Sequence, residues 1–111
     1  MPERDLTIIS GPTVRRILAD NDLVLDAVTE AYLAHARGQT KSPGTQPLYT
    51  NGGRFFAMPA SIEDTRPIVG VKWVGSFVGN VAAGGERASA MLIVNDAATG
   101  QPVAIVDGTV I

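Results

Sequence analysis

Residues 68–74 read Ile-Val-Gly-Val-Lys-Trp-Val, and that run constrains the fold more than any other part of the chain. Side chains of an extended strand alternate between its faces. Ile68, Gly70 and Val74 then share one face, and Val69, Val71 and Trp73 the other. Both faces are apolar, so the strand belongs inside a sheet covered on both sides. Lys72 interrupts the first face. An unpaired ammonium there is costly or loses its proton, which leaves two readings. Lys72 lines a pocket and grips the carboxylate of a small substrate, or its strand is a sheet edge where the stem covers apolar surface and the head reaches water.

The rest of the chain predicts the partners of that strand. Leu6–Ile9 is short and β-prone. Ser10 followed by Pro12 marks the start of a helix running to about Asp20. Between Asp22 and Arg37 the apolar residues Val24, Ala27, Val28, Ala31, Tyr32 and Ala34 recur at three- and four-residue spacings, and Gly38 stands where a glycine cap closes a helix. One face of this second helix should pack inward while Asp26, Glu30 and Arg37 stay wet. Gln46–Thr50, the turn Asn51-Gly52-Gly53 and Arg54–Met58 read as a hairpin. Pro59, Ser61 and Pro67 then bracket a loop. Gly75–Gly85 reads as a glycine-rich loop, Ala88–Val94 as a strand, Asn95–Gly100 as a turn and Val103–Val106 as the last strand. Two helices followed by about five mostly antiparallel strands make the fold class α+β.

At 111 residues and 45% hydrophobic, the chain has enough apolar material for one soluble domain and not for two with a cleft between them. Nine basic and eleven acidic residues create no field that attracts a phosphate backbone, so nucleic acid is not an expected partner. No apolar run approaches a membrane span, and Glu3, Arg4 and Asp5 near the start do not resemble a signal peptide. The absence of cysteine excludes a disulfide framework, a thiolate nucleophile and Cys-ligated zinc. It fits a reducing compartment, with the cytoplasm as the expected location. Between residues 88 and 111 only Asp96 and Asp107 are charged, and the chain stops on Val110 and Ile111. That ending reads as a break inside a larger fold, or as an apolar final strand of a small domain.

Three further residues are candidates beside Lys72. Arg54, Phe56 and Met58 share a face of the neighbouring strand, which offers a guanidinium and a thioether to the same pocket wall. Arginine suits carboxylates through its bidentate fork, although an arginine directly after a turn is often simply solvated and methionine is a common core filler. Arg87 opens the strand that follows the glycine-rich loop, a usual place for a binding residue; its alternative is an exposed ion pair with Glu86. His35 has no acidic or hydroxyl partner recognisable by spacing and reads as a surface or packing residue with no assigned function. No dinucleotide G-x-G-x-x-G, no G-x-S-x-G and no H-E-x-x-H occurs. Gly79–Gly84 has Walker spacing but continues Gly85-Glu86, where phosphate would be repelled. From the residues alone the reading is a small α+β domain with a cationic pocket for a small carboxylate.

The order Ala57-Met58-Pro59-Ala60, Gly70-Val71-Lys72-Trp73-Val74, Gly79-Asn80, Asn95-Asp96-x-x-Thr99-Gly100-x-Pro102 and Asp107-Gly108-Thr109-x-Ile111 resembles the ornithine cyclodeaminase/mu-crystallin family. The resemblance covers essentially the whole chain. Gly53-Arg54-x-x-Ala57-Met58-Pro59 and Glu86-Arg87-Ala88-Ser89-Ala90 look most like the dehydrogenase branch of 2,3-diaminopropionate biosynthesis, which oxidises an N-substituted amino acid with NAD. The cyclodeaminases proper carry a substrate arginine after a proline in the segment matching Ser42-Pro43-Gly44-Thr45. None stands here, which argues against ornithine cyclisation.

The resemblance implies that residues 1–111 are an incomplete N-terminal substrate-binding and dimerisation domain, with an NAD-binding Rossmann domain downstream and no cofactor contacts of its own. It implies a homodimer acting on a small amino acid. Lys72 becomes the catalytic, carboxylate-orienting lysine and Met58 a pocket-wall residue, with Arg54 and Arg87 as further substrate contacts. The implied reaction removes hydride from the carbon bearing an amine, and water hydrolyses the resulting imine. The alternatives are an ornithine cyclodeaminase or a non-enzymatic, crystallin-like dimerisation or ligand-binding module. The 111 residues alone are expected to have no turnover.

Overall fold

The computed structural model describes residues 5–111. Its strands are β1 (Thr7–Ile9), β2 (Thr40–Lys41), β3 (Gln46–Thr50), β4 (Gly53–Ile62), β5 (Ile68–Ser76), β6 (Ala88–Asp96) and β7 (Pro102–Asp107). They form one sheet in the order β1-β7-β6-β5-β4-β2, with β3 also paired to β4. Every pairing is antiparallel except β1 with β7. The fold is α+β, as the sequence predicts.

The Asn51-Gly52 turn joins β3 to β4, with Gly52 at φ 92° supplying the left-handed conformation that a tight turn needs. Strand β4 runs further than expected, through Pro59 to Ile62. A proline is tolerated there because Pro59 falls between the stretch paired to β3, which ends at Ala57, and the stretch paired to β2, which begins at Ser61. Strand β5 likewise extends to Ser76, and the glycine-rich segment after it folds into a short helical turn, α3 (Gly79–Ala82). Thr40–Lys41, read as loop from composition, becomes an edge strand by pairing with Ile62 and Ser61.

Helix α1 (Gly11–Leu18) has Ser10 at its N-cap and proline in its first turn, where a missing N–H costs nothing. Asp20 caps α2 (Asn21–Ala36), its side chain accepting from Leu23 N at 3.1 Å, and Gly38 closes it at φ 73°. Helix α1 packs against β7 and α2, and α2 against β4. His35 Nδ1 lies 2.8 Å from Thr40 Oγ1, tying the end of α2 to β2; spacing alone did not reveal this hydroxyl partner, and the residue stays exposed on the surface.

The helices bury little of the sheet. Val14 of α1 and Ala34 of α2 are the buried core among the described residues, at 4% and 1% exposure. The inward stripe of α2 is narrower than its spacing predicts: Val24, Ala31 and Ala34 point in, whereas Ala27, Val28 and Tyr32 stay exposed. A helix that meets its neighbours along one seam covers about one row of side chains, not a broad face.

Candidate functional site

Register decides which side chains meet. In β4 and β5 the opposed pairs run Arg54↔Ser76, Phe56↔Val74, Met58↔Lys72, Ala60↔Gly70 and Ile62↔Ile68. Strand β6 continues the rows, placing Leu92 beside Lys72 and Val94 beside Gly70. Directly opposed residues share a face. Lys72 and Met58 therefore stand side by side, as the sequence suggests.

Strand β5 has a partner on each side, so the sheet-edge explanation of Lys72 fails. A cavity of about 280 Å³ opens on the Lys72 face. Met58, Ala60 and Ile62 line it from β4, Ile68, Gly70 and Lys72 from β5, and Leu92 and Val94 from β6. Lys72 is the one charged side chain in that lining. It is half-buried and makes no ion pair among the described residues. An apolar wall around one fixed cation is suited to holding a small carboxylate whose hydrocarbon part lies against Met58 and Leu92. Helix α2 borders the same face: its Ala27 and Ala31 share a neighbouring cavity with Ile62 and Ile68.

The two arginines are placed differently from each other. Arg54 lies on the Lys72 face but outside the cavity lining, with its guanidinium 5.4 Å from the centre of the Phe56 ring. Arg87 lies one residue before Ala88, the residue that pairs with Ser76. Its carbonyl accepts from Phe77 N at 2.8 Å, and its side chain reaches neither the cavity nor Glu86. Lys72 and Met58 are brought together, Arg54 is placed in line with them, and Arg87 is set apart.

The opposite face carries a feature that sequence reasoning missed. Phe55 and Trp73 stack there with ring centres 5.2 Å apart and planes 14° from parallel. Together with Met91, Asp107 and Thr109 they line a second cavity of about 260 Å³. Asp107 Oδ1 accepts from Thr109 N at 2.9 Å, and Thr109 Oγ1 accepts from Ala90 N at 3.2 Å. The Thr109 backbone N–H, then its hydroxyl, then the positive charge of Arg15 hold the Asp107 carboxyl below its ordinary 3.8. The signal was available: alternation along β5 places Trp73 opposite Lys72 in facing. This face is also less covered than a strand apolar on both sides predicts, with Trp73 43% and Met91 45% exposed.

The chain is a mixed, mostly antiparallel sheet flanked by two helices, with one cation in an apolar cavity. Residues 13–111 match the sequence model of the ornithine cyclodeaminase/mu-crystallin family, and the chain belongs to that family. It is 36% identical over 98 residues to N-((2S)-2-amino-2-carboxyethyl)-L-glutamate dehydrogenase of Staphylococcus aureus (strain NCTC 8325 / PS 47), a match covering 82% of this chain and 29% of that protein. Among solved structures, an archaeal alanine dehydrogenase dimer with bound NAD superposes with a TM-score of 0.83 at 33% identity, over 94% of this chain and 31% of that one. Thermococcus litoralis Delta(1)-pyrroline-2-carboxylate reductase in complex with NADH and L-proline superposes with a TM-score of 0.80 at 27% identity, over 94% of this chain and 32% of that one. The chain thus spans less than a third of the length of these relatives. No helix among the described residues is long and apolar enough to cross a membrane.

Proposed function

We propose that this chain is the substrate-binding part of an NAD-dependent amino-acid oxidoreductase that oxidises an N-substituted amino acid of the kind named for the staphylococcal relative. The observation that carries the reading is Lys72, a cation half-buried in an apolar cavity without a counter-ion among the described residues. Its role is to hold the substrate's α-carboxylate and so fix the orientation of the α-carbon, while Met58 and Leu92 exclude water from the carbon chain. The ammonium also favours the neutral form of the substrate amine, since two cations in one cavity repel.

The G-x-G-x-x-G fingerprint is absent from these residues. The nucleotide, which accepts hydride, belongs in this reading to a Rossmann domain outside these residues. A homodimer completes the proposal. It is supported by the dimeric state of the archaeal alanine dehydrogenase and by the uncovered apolar face around Trp73 and Met91, which a second copy would shield.

The test is Lys72→Met in the complete protein, a change that keeps the packing and removes the charge. Loss of a charge-assisted hydrogen bond should raise the KM for the amino acid by about 10- to 100-fold while NAD affinity stays constant. Unchanged kinetics would reject the role.

A further inference from the structure

We infer that Arg54 is a specificity-determining residue that receives a second carboxylate of the substrate, so that the site selects acids with more than one carboxylate. The inference rests on the reading of Lys72 given above and extends it along the same face of the sheet.

Register separates the two arginines. Arg54, Phe56 and Met58 alternate onto the Lys72 face, whereas Arg87 precedes the residue in line with Arg54 and has the opposite parity. The Arg54 guanidinium leans over the Phe56 ring, toward Lys72 and away from the turn that precedes it. Phe56 is two residues from Met58, so about 7 Å of strand separates the guanidinium's resting place from the Met58–Lys72 pair. That spacing leaves room along the same face for two carboxylates at either end of a short chain.

Arg54 and Lys72 make no ion pair among the described residues. The one carboxylate of the sheet on their face is Asp96, at the far end opposite Ile68, where its Oδ1 accepts from Ala98 N and Thr99 N. A guanidinium resting on an aromatic ring keeps its N–H fork free at its edge. Phe56 thereby holds Arg54 in one orientation without consuming its donors, which lowers the entropy lost when an anion binds. An N-substituted amino acid whose substituent is glutamate brings the required second carboxylate.

The experiment measures equilibrium binding by calorimetry in the complete protein. The probes are N-((2S)-2-amino-2-carboxyethyl)-L-glutamate and two analogues in which one or the other carboxylate of the glutamate arm is an amide. The amides are isosteric, so the acid-to-amide affinity ratio reads charge recognition alone. The unaltered protein should prefer the acid over one of the amides by about 10- to 100-fold. Arg54→Ala should bring that ratio close to one, and Arg54→Lys should recover part of it. A ratio unchanged by Arg54→Ala overturns the inference, as does an unaltered protein that binds acid and both amides alike. The amide of the glutamate α-carboxylate reports on Lys72 and that of the side-chain carboxylate on Arg54, so Lys72→Met should weaken the acid and the side-chain amide in parallel and keep their ratio. If Lys72→Met weakens nothing, the reading of Lys72 fails, while the Arg54 ratio is still decided by its own variants. Arg54 is exposed, so neither of its variants disturbs the core.

Discussion

Replacing Gly70 with alanine tests the link between the sheet and the site. Gly70 lies in β5, two residues before Lys72, and helps line the cavity. A Cβ added there would meet the Ile93 carbonyl oxygen at 2.7 Å and the Ile93 carbonyl carbon at 3.7 Å. The obstacle is backbone of a hydrogen-bonded neighbouring strand, so no side-chain rotation relieves it. Strands β5 and β6 must separate or slide by several tenths of an ångström over their nine-residue ladder. Overpacking of this kind costs about 1–3 kcal/mol, which for a domain of this size lowers the thermal midpoint by about 5–20 °C. The displacement falls beside Lys72, and a misplacement of about 1 Å at an orienting group can cost up to about 100-fold in rate. Thermal unfolding followed by circular dichroism, with kcat/KM for the amino acid, would read both effects. If Gly70→Ala leaves both the midpoint and kcat/KM unchanged, the close approach of the strands is not what shapes the site.

The remaining predictions concern other parts of the chain. Gly79 in α3 has open space around an added Cβ and no unusual backbone angle, so Gly79→Ala should be neutral or stabilising by up to about 1 kcal/mol in the same unfolding experiment; a loss of that size would contradict the geometry. Asp107 has a folded-state pKa below its unfolded value near 3.8, so its stabilisation is fully present above about pH 4 and is lost as pH falls through the folded pKa. Asp107→Asn should flatten that acid limb, and superimposable stability profiles between about pH 2 and 5 would refute the assignment. If the proposed homodimer uses the apolar face opposite Lys72, Trp73→Glu places a charge in its middle and should weaken self-association by at least about tenfold in sedimentation, whereas unchanged association would refute that interface.

The sequence by itself determined the elements whose causes are local. Pro12 and the cap residues set where the two helices begin and end, Gly52 set the hairpin, and period-two alternation put Arg54, Phe56 and Met58 on one face of their strand and turned Lys72 away from Val71 and Trp73 in the next. Each of these depends on torsions and neighbours within a few residues, which composition and spacing record. The tertiary structure alone decided which rows align. Lys72 meets Met58 and Leu92 because a ladder of hydrogen bonds across three strands selects one register, and a slip of one residue would have turned Lys72 to the other face. The parallel pairing of β1 with β7, the edge strand at Thr40–Lys41 and the exposure of Trp73 were illegible for the same reason. Each is fixed by partners distant in the chain, through backbone hydrogen bonds that carry no side-chain signature. The divergence of Arg54 and Arg87 follows from both kinds of cause. Their spacing can be read from the residues, but only the shared register of β4, β5 and β6 shows that one arginine faces the cavity's side of the sheet and the other does not.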